Sequence, residues 1–254
     1  MNAAHLLRLG GALFSQLWGI VLLLIMWQLW VVTATPNSLI VVPPLAVLRD
    51  IAAEPSVYAN AALWTLCIAL AGLAGGMMLG LLLAILAWTS NLISGFLGPA
   101  AILISSTPVV CLIPLLARIF GYRAPTEFVT VLIMMFFPSF VFAAAGMRNL
   151  PPMSANLLDT WNASRLRRLK LLALPSAIPS LATAFRAGAA ASILVAVVAE
   201  YLMQTGGLGA LIAVTMQQFD IPRAFGASIV AMLISTLLYT IAGSVENRVR
   251  ARQS

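Results

Sequence analysis

Six membrane-crossing helices in an all-α membrane protein, with both termini on the cytoplasmic side, are what this sequence predicts, and three observations carry that expectation. Of 254 residues, 62% are apolar and only 8% charged, with a mean hydropathy of +1.03. A water-soluble domain carries roughly a quarter charged residues, so these few charges cannot cover a globule and lipid must solvate most of the surface. Six stretches are also long and apolar enough to cross a hydrocarbon core of about 30 Å, which takes roughly 20 residues of helix. Finally, the basic residues gather in alternate loops, as they do on the cytoplasmic side of spanning proteins.

Residues 1–13 read as a cytoplasmic tail and 14–254 as one membrane domain with a cytoplasmic loop over 148–175. The first span covers 14–34, too long for the 7–15-residue apolar core of a secretory signal. Trp18, Trp27 and Trp30 suit interfacial anchoring, so the segment is read as retained. The second span, 59–88, carries Gly72, Gly75, Gly76 and Gly80, a spacing that lets helix backbones approach closely; packing within the chain is favoured over a subunit interface. Pro108 and Pro114 interrupt the third span, 96–120, and Pro138 the fourth, 126–147. Such breaks are tolerated where neighbouring groups or a watery cavity satisfy the freed carbonyls, so a broken third helix near a translocation path is expected. The fifth and sixth spans cover 178–203 and 224–245.

With both termini inside, the cytoplasmic side holds Arg8, Arg148, Arg165, Arg167, Arg168, Lys170, Arg248, Arg250 and Arg252. The outer side holds Arg49, Arg118, Arg123 and Arg223, and Arg186 lies within the fifth span. The reverse orientation would put the densest basic cluster outside.

Several function classes are excluded. No soluble basic domain exists to bind nucleic acid. His5 is the only histidine, and Cys67 and Cys111 sit in apolar runs as small buried residues, so no zinc spacing and no histidine-based catalysis is available. No phosphate-binding Gly-rich loop with its Lys is present, so ATP hydrolysis is not expected of this chain. Met77, Met78, Met134 and Met135 read as packing rather than a metal path.

The loop between the fourth and fifth spans is too polar to cross and too long for a tight turn. Ser154 and Asn156 suit helix caps and Asn162 a helix stop, and Pro175 and Pro179 introduce the next helix. The pattern describes a short helix, a turn, a basic amphipathic helix and re-entry. It fits equally a mechanical element or a basic helix resting on anionic headgroups.

The loop resembles the cytoplasmic loop of ABC importer permeases, whose pattern is Glu-Ala-Ala, three residues, Gly, and later Leu-Pro. Here Asn156-Leu157-Leu158 stands for the triplet, Asn162 for the Gly, and Leu174-Pro175 for the Leu-Pro. Ala163-Ser164-Arg165 and the Leu-Pro-x-x-x-Pro run match closely, while the triplet and the Gly depart. Val42-Pro43-Pro44, Ser106-Thr107-Pro108 through Gly121, Phe137-Pro138 to Arg148, and Ala199-Glu200 with Gly206-Gly207-Leu208-Gly209 extend the likeness in order along the chain. Together they resemble the nitrate, sulfonate and taurine branch of type I ABC importers, which implies a MetI-like permease fold in a bacterial inner membrane.

The resemblance implies a coupling helix of Asn156, Leu157, Leu158, Asp159, Thr160, Trp161, Asn162, Ala163, Ser164 and Arg165, seated in a cytoplasmic ABC ATPase dimer that holds ATP and Mg. It also implies a second permease subunit, expected to be an identical copy, and a periplasmic or lipid-anchored substrate-binding protein, with cargo such as sulfonate, taurine or nitrate. Aromatic acids and pyrimidine vitamin precursors stay open. Asn156 lacks the charge of the family Glu, but Asn162 can adopt a left-handed turn as Gly does. Pro108, Arg186, Glu200, Tyr201 and Gln204 are the gating or pathway candidates. Charges inside a membrane are costly and face a cavity or a partner. Arg186 and Glu200, about 21 Å apart at helical rise, cannot pair within one helix. A self-sufficient secondary carrier or channel, or a non-transporting scaffold, is the alternative. No internal repeat of the kind such carriers show is evident.

Overall fold

The computed structural model describes residues 18–33 apart from 20, then 42–150 and 163–252. Everything described is helix or short connection. In chain order these are α1 (Val21–Thr33), α2 (Pro44–Ala53), α3 (Pro55–Thr89), α4 (Asn91–Ser105), α5 (Val109–Phe120), α6 (Ala124–Arg148), α7 (Arg165–Met203), α8 (Gly207–Gln217) and α9 (Ile221–Ala251). Helices α3, α6, α7 and α9 are long and apolar enough to cross a bilayer; α4 and α5 together make a further span bent by 102°. The described part of the first expected span is α1.

Prolines set several starts. Pro44, Pro55, Pro125 and Pro222 sit in the first turns of α2, α3, α6 and α9, where a missing N–H costs nothing. Small residues set the packing. The glycine face of α3 lies on α6: a Cβ at Gly76 would stand 2.6 Å from the Leu132 carbonyl oxygen, and one at Gly80 2.7 Å from the Phe140 amide. The glycine run therefore serves packing within the chain, since only a hydrogen side chain lets these two backbones touch. Around this seam the core runs from Leu73, Val131, Met135, Ala189 and Ile193 at mid-depth to Ala84, Phe140, Met147, Ala173 and Ala177 toward the inner face.

The third span breaks at Pro108, which precedes α5 with φ −60° and ψ 128°. The carbonyls that the break frees find local donors: Thr107 Oγ1 donates to Leu103 O and the Thr107 amide to Ile104 O, both at 3.2 Å.

Five expectations need correction. The basic segment is not a separate helix followed by re-entry; it is the first two turns of a 39-residue α7. Pro175 does not start that helix, because a π-helical turn over Leu169–Ala173, closed by Leu174 N–H on Leu169 O, widens the spiral just before it. Cys67 and Cys111 are exposed rather than buried; in an apolar solvent a thiol gains nothing by facing inward. Helices α2 and α8 are additional to the expected elements, each too short to register as a span. The broken span also begins earlier than expected, at Asn91.

Candidate functional site

Two polar junctions built on buried carboxylates lie along α7, one at its outer end and one near its middle. At its outer end Glu200 is fully buried. Its Oε2 accepts hydrogen bonds from Thr65 Oγ1 of α3 at 2.8 Å and from the Gly209 amide of α8 at 3.0 Å, and the Leu208 amide donates to Thr65 Oγ1 at 2.9 Å. Glu200 Oε1 is buried without a partner among the described residues. Beside it Glu127 of α6, also fully buried, accepts from Trp64 Nε1 at 3.1 Å and from the Thr205 hydroxyl. Two carboxylates thus tie the turn between α7 and α8 to α3 and α6.

The local sequence builds this turn. Gln204 ends α7 in the left-handed region, φ 53°, and its amide donates to Glu200 O at 2.7 Å. Gly207 has φ +77°, and a Cβ there would collide with the Glu200 carboxylate. A Cβ at Gly209 would collide with the Val197 carbonyl. Gly-Leu-Gly is required because the carboxylate and the α7 backbone fill the space side chains would need.

Near the middle of α7, Arg186 donates to Glu246 Oε2 of α9 at 3.2 Å, its guanidinium stacked 4.4 Å from the Tyr239 ring. Glu246 Oε1 accepts from Arg250 Nη2 and from Thr183 Oγ1, both at 2.9 Å. Arg186 therefore pairs across helices, with Glu246 rather than with Glu200. A third cluster holds the outer ends of α2 and α9: Arg223 reaches Glu54 at 2.8 Å, Asp50 at 3.2 Å and Asp220 at 3.6 Å, and the Tyr58 hydroxyl donates to Asp50. Burial alone would raise the Asp50 carboxyl, but the Tyr58 hydroxyl and the Arg223 guanidinium together hold it below the usual carboxylate range.

The expected coupling residues Asn156, Leu157, Leu158, Asp159, Thr160, Trp161 and Asn162 lie outside the described residues. Of the rest, Ala163 is buried, Ser164 Oγ accepts from the Arg167 amide at 3.4 Å, and Arg165 Nη1 donates to Thr89 O at the end of α3 at 3.3 Å. Among the pathway candidates, Glu200 and Gln204 meet in one junction, Tyr201 is exposed beside it, Arg186 belongs to the inner junction, and Pro108 sits at the bend of the third span. Sequence reasoning missed Glu127 and Glu246 with their hydroxyl partners Thr205 and Thr183, and Thr65, the hydroxyl partner of Glu200. The rule that singled out Glu200, a charge inside an apolar run, applies equally to Glu127. Among the described residues no three of His, Cys, Asp and Glu gather as metal ligands would.

A family model described as "Binding-protein-dependent transport system inner membrane component" matches residues 76–251. A probable ABC transporter permease protein of Haemophilus influenzae is 29% identical over 85% of this chain and 89% of its own. The formylaminopyrimidine transport permease protein ThiX of Halalkalibacterium halodurans is 26% identical over 89% and 90%. The taurine transport system permease protein TauC of Escherichia coli is 25% identical over 75% and 72%. Among solved structures, the inward-facing MetNI methionine ABC transporter shares the fold with a TM-score of 0.64 at 18% identity, covering 78% of this chain and 98% of that one.

Proposed function

The chain belongs to the family of binding-protein-dependent transport system inner membrane components, as a multi-pass ABC importer permease of the inner membrane, and from that premise we propose how it works and what it carries. Two copies form the translocation path, a cytoplasmic ATPase dimer binds ATP and Mg, and an external binding protein delivers the cargo. Residues 156–164 couple the chain to the ATPase, and Arg165 tethers that segment, since its guanidinium is fastened to the end of α3. The turn 204–209 is the outer gate. The observation that carries this reading is the outer junction: Glu200 and Glu127 join α3, α6, α7 and α8 where access from outside has to be controlled. Pro108 gives the path its bend, and Tyr201, exposed next to the junction, faces the entrance.

The cargo is a small water-soluble organic nutrient. The relative named for a formylaminopyrimidine aligns over more of this chain than the relative named for taurine, which favours a pyrimidine-type vitamin precursor over the sulfonate, taurine or nitrate expected from the sequence. Uptake of labelled formylaminopyrimidine, taurine and nitrate, measured in cells expressing this chain with its ATPase and binding protein, tests the choice. Accumulation of the pyrimidine alone is expected, and accumulation of taurine or nitrate instead would reverse it. In the same cells, deletion of 156–164 should abolish uptake and co-purification of the ATPase while the chain stays in the membrane. Unchanged uptake at equal expression would remove the coupling role.

A further inference from the structure

We propose that a hollow at the inner end of α3 binds the phosphate of an anionic phospholipid from the cytoplasmic leaflet. The hollow has a volume of about 400 Å³ and is formed by Trp88, Thr89, Ser90 and Asn91 of the α3–α4 turn together with Arg165 and Arg168 of α7.

Its position supplies the first argument. Helix α3 is apolar over most of its length and ends at Thr89, so the turn lies at headgroup depth, where Trp88 suits the interface. Charge supplies the second. Arg165 spends one donor on the Thr89 carbonyl, which leaves its charge uncancelled, and among the described residues no carboxylate lies within ion-pair distance of it. Arg148, from the end of α6, donates to Ser94 Oγ at 2.5 Å, one turn along α4 from Ser90, and extends the cationic surface along that helix. A guanidinium pairs well with phosphate oxygens, and each basic residue near an anionic leaflet adds attraction.

The third argument separates a lipid from free phosphate. On the helices that flank the hollow, Leu86 of α3 and Leu92 and Phe96 of α4 are exposed apolar side chains, with Leu92 85% exposed. A cationic pocket beside bare apolar surface matches a headgroup joined to acyl chains. A soluble anion would use only the first half.

The experiment is a lipid titration of the purified full-length chain, with whatever subunits accompany it, read by native mass spectrometry. Phosphatidylglycerol is compared with phosphatidylcholine of the same acyl chains. The unaltered protein should take phosphatidylglycerol preferentially. The double variant Arg148→Gln/Arg165→Gln should lose affinity for it by roughly 25-fold, two charges at about fivefold each. Arg148→Lys/Arg165→Lys should keep most of the binding, which separates loss of charge from loss of fold. The outer-face pair Arg118→Gln/Arg123→Gln, an equal change in net charge, should leave binding unaltered. An equal loss in the outer pair, displacement of phosphatidylglycerol by millimolar inorganic phosphate, or lipid binding that survives the inner Gln pair while the ATPase no longer co-purifies would each overturn the assignment.

Discussion

At the outer end of α7, Glu200 and Glu127 are held by neutral donors among the described residues, namely two hydroxyls, an indole and a backbone amide. Near the middle of the same helix, Glu246 of α9 sits between the guanidinium groups of Arg186 and Arg250. The two arrangements resist different motions. Parting Arg186 from Glu246 would break the ion pair that crosses from α7 to α9 and leave the buried carboxylate with only Arg250 of its own helix, so the two helices behave as one body where they meet. Hydrogen bonds to neutral partners are each worth about 1 kcal/mol net and can be exchanged for water. The outer junction is therefore built to part and the inner one to stay closed, as rigid-body alternating access requires.

Substitution by the isosteric amide tests that contrast directly. Glu246→Gln leaves two guanidiniums facing a neutral group and should be the most damaging of the three substitutions, because it removes the ion pair between α7 and α9. Thermal unfolding of the detergent-purified protein measures it. Thr65→Val comes next, at about 1–3 kcal/mol, because it strips one donor from Glu200 and the acceptor from the Leu208 amide. Glu200→Gln should be milder still, below about 1 kcal/mol, because the amide oxygen keeps both donors and the new NH2 falls where Oε1 already lacks a partner. If Glu200→Gln proves as damaging as Glu246→Gln, the outer carboxylate has a cationic partner and the contrast fails.

How far the sequence could be read depends on which signals are local. Spans show as runs of apolar residues, so α3, α6, α7 and α9 are legible, as is the use of Gly76 and Gly80 for close approach. The π turn before Pro175 is invisible because it depends on where the basic segment docks, and α8 is hidden because an eleven-residue, mainly apolar helix looks like the edge of a span. At the site, Glu200 stands out by its charge. Its partners Thr65 and Gly209 lie 135 and nine residues away, and only the packing of α3 on α7 brings Thr65 to it. Gly207 and Gly209 are legible as a turn, but that the space is denied to them by a carboxylate and by the Val197 carbonyl is a fact of three dimensions.

The smallest expected effect concerns the outer cluster on α2 and α9, which resembles the inner junction in using Arg but sits nearer water. Arg223 and Asp50 are about a fifth exposed and Glu54 about half. Pairs of this kind contribute about 0.2–1 kcal/mol. Asp50 is held below its ordinary range in the folded protein, so its share is fully present above the unfolded carboxylate range near pH 4 and fades as pH falls through the lower folded value. Stability at pH 7 should therefore exceed that at pH 3 slightly more in the unaltered protein than in Asp50→Asn, with Tyr58 keeping a hydrogen-bonding partner in both. Because Arg223 retains Glu54 and Asp220, the loss of Asp50 should detach neither helix. A large acid-sensitive loss confined to this residue would mean that the cluster, and not the α7–α9 pair, holds the last span in place.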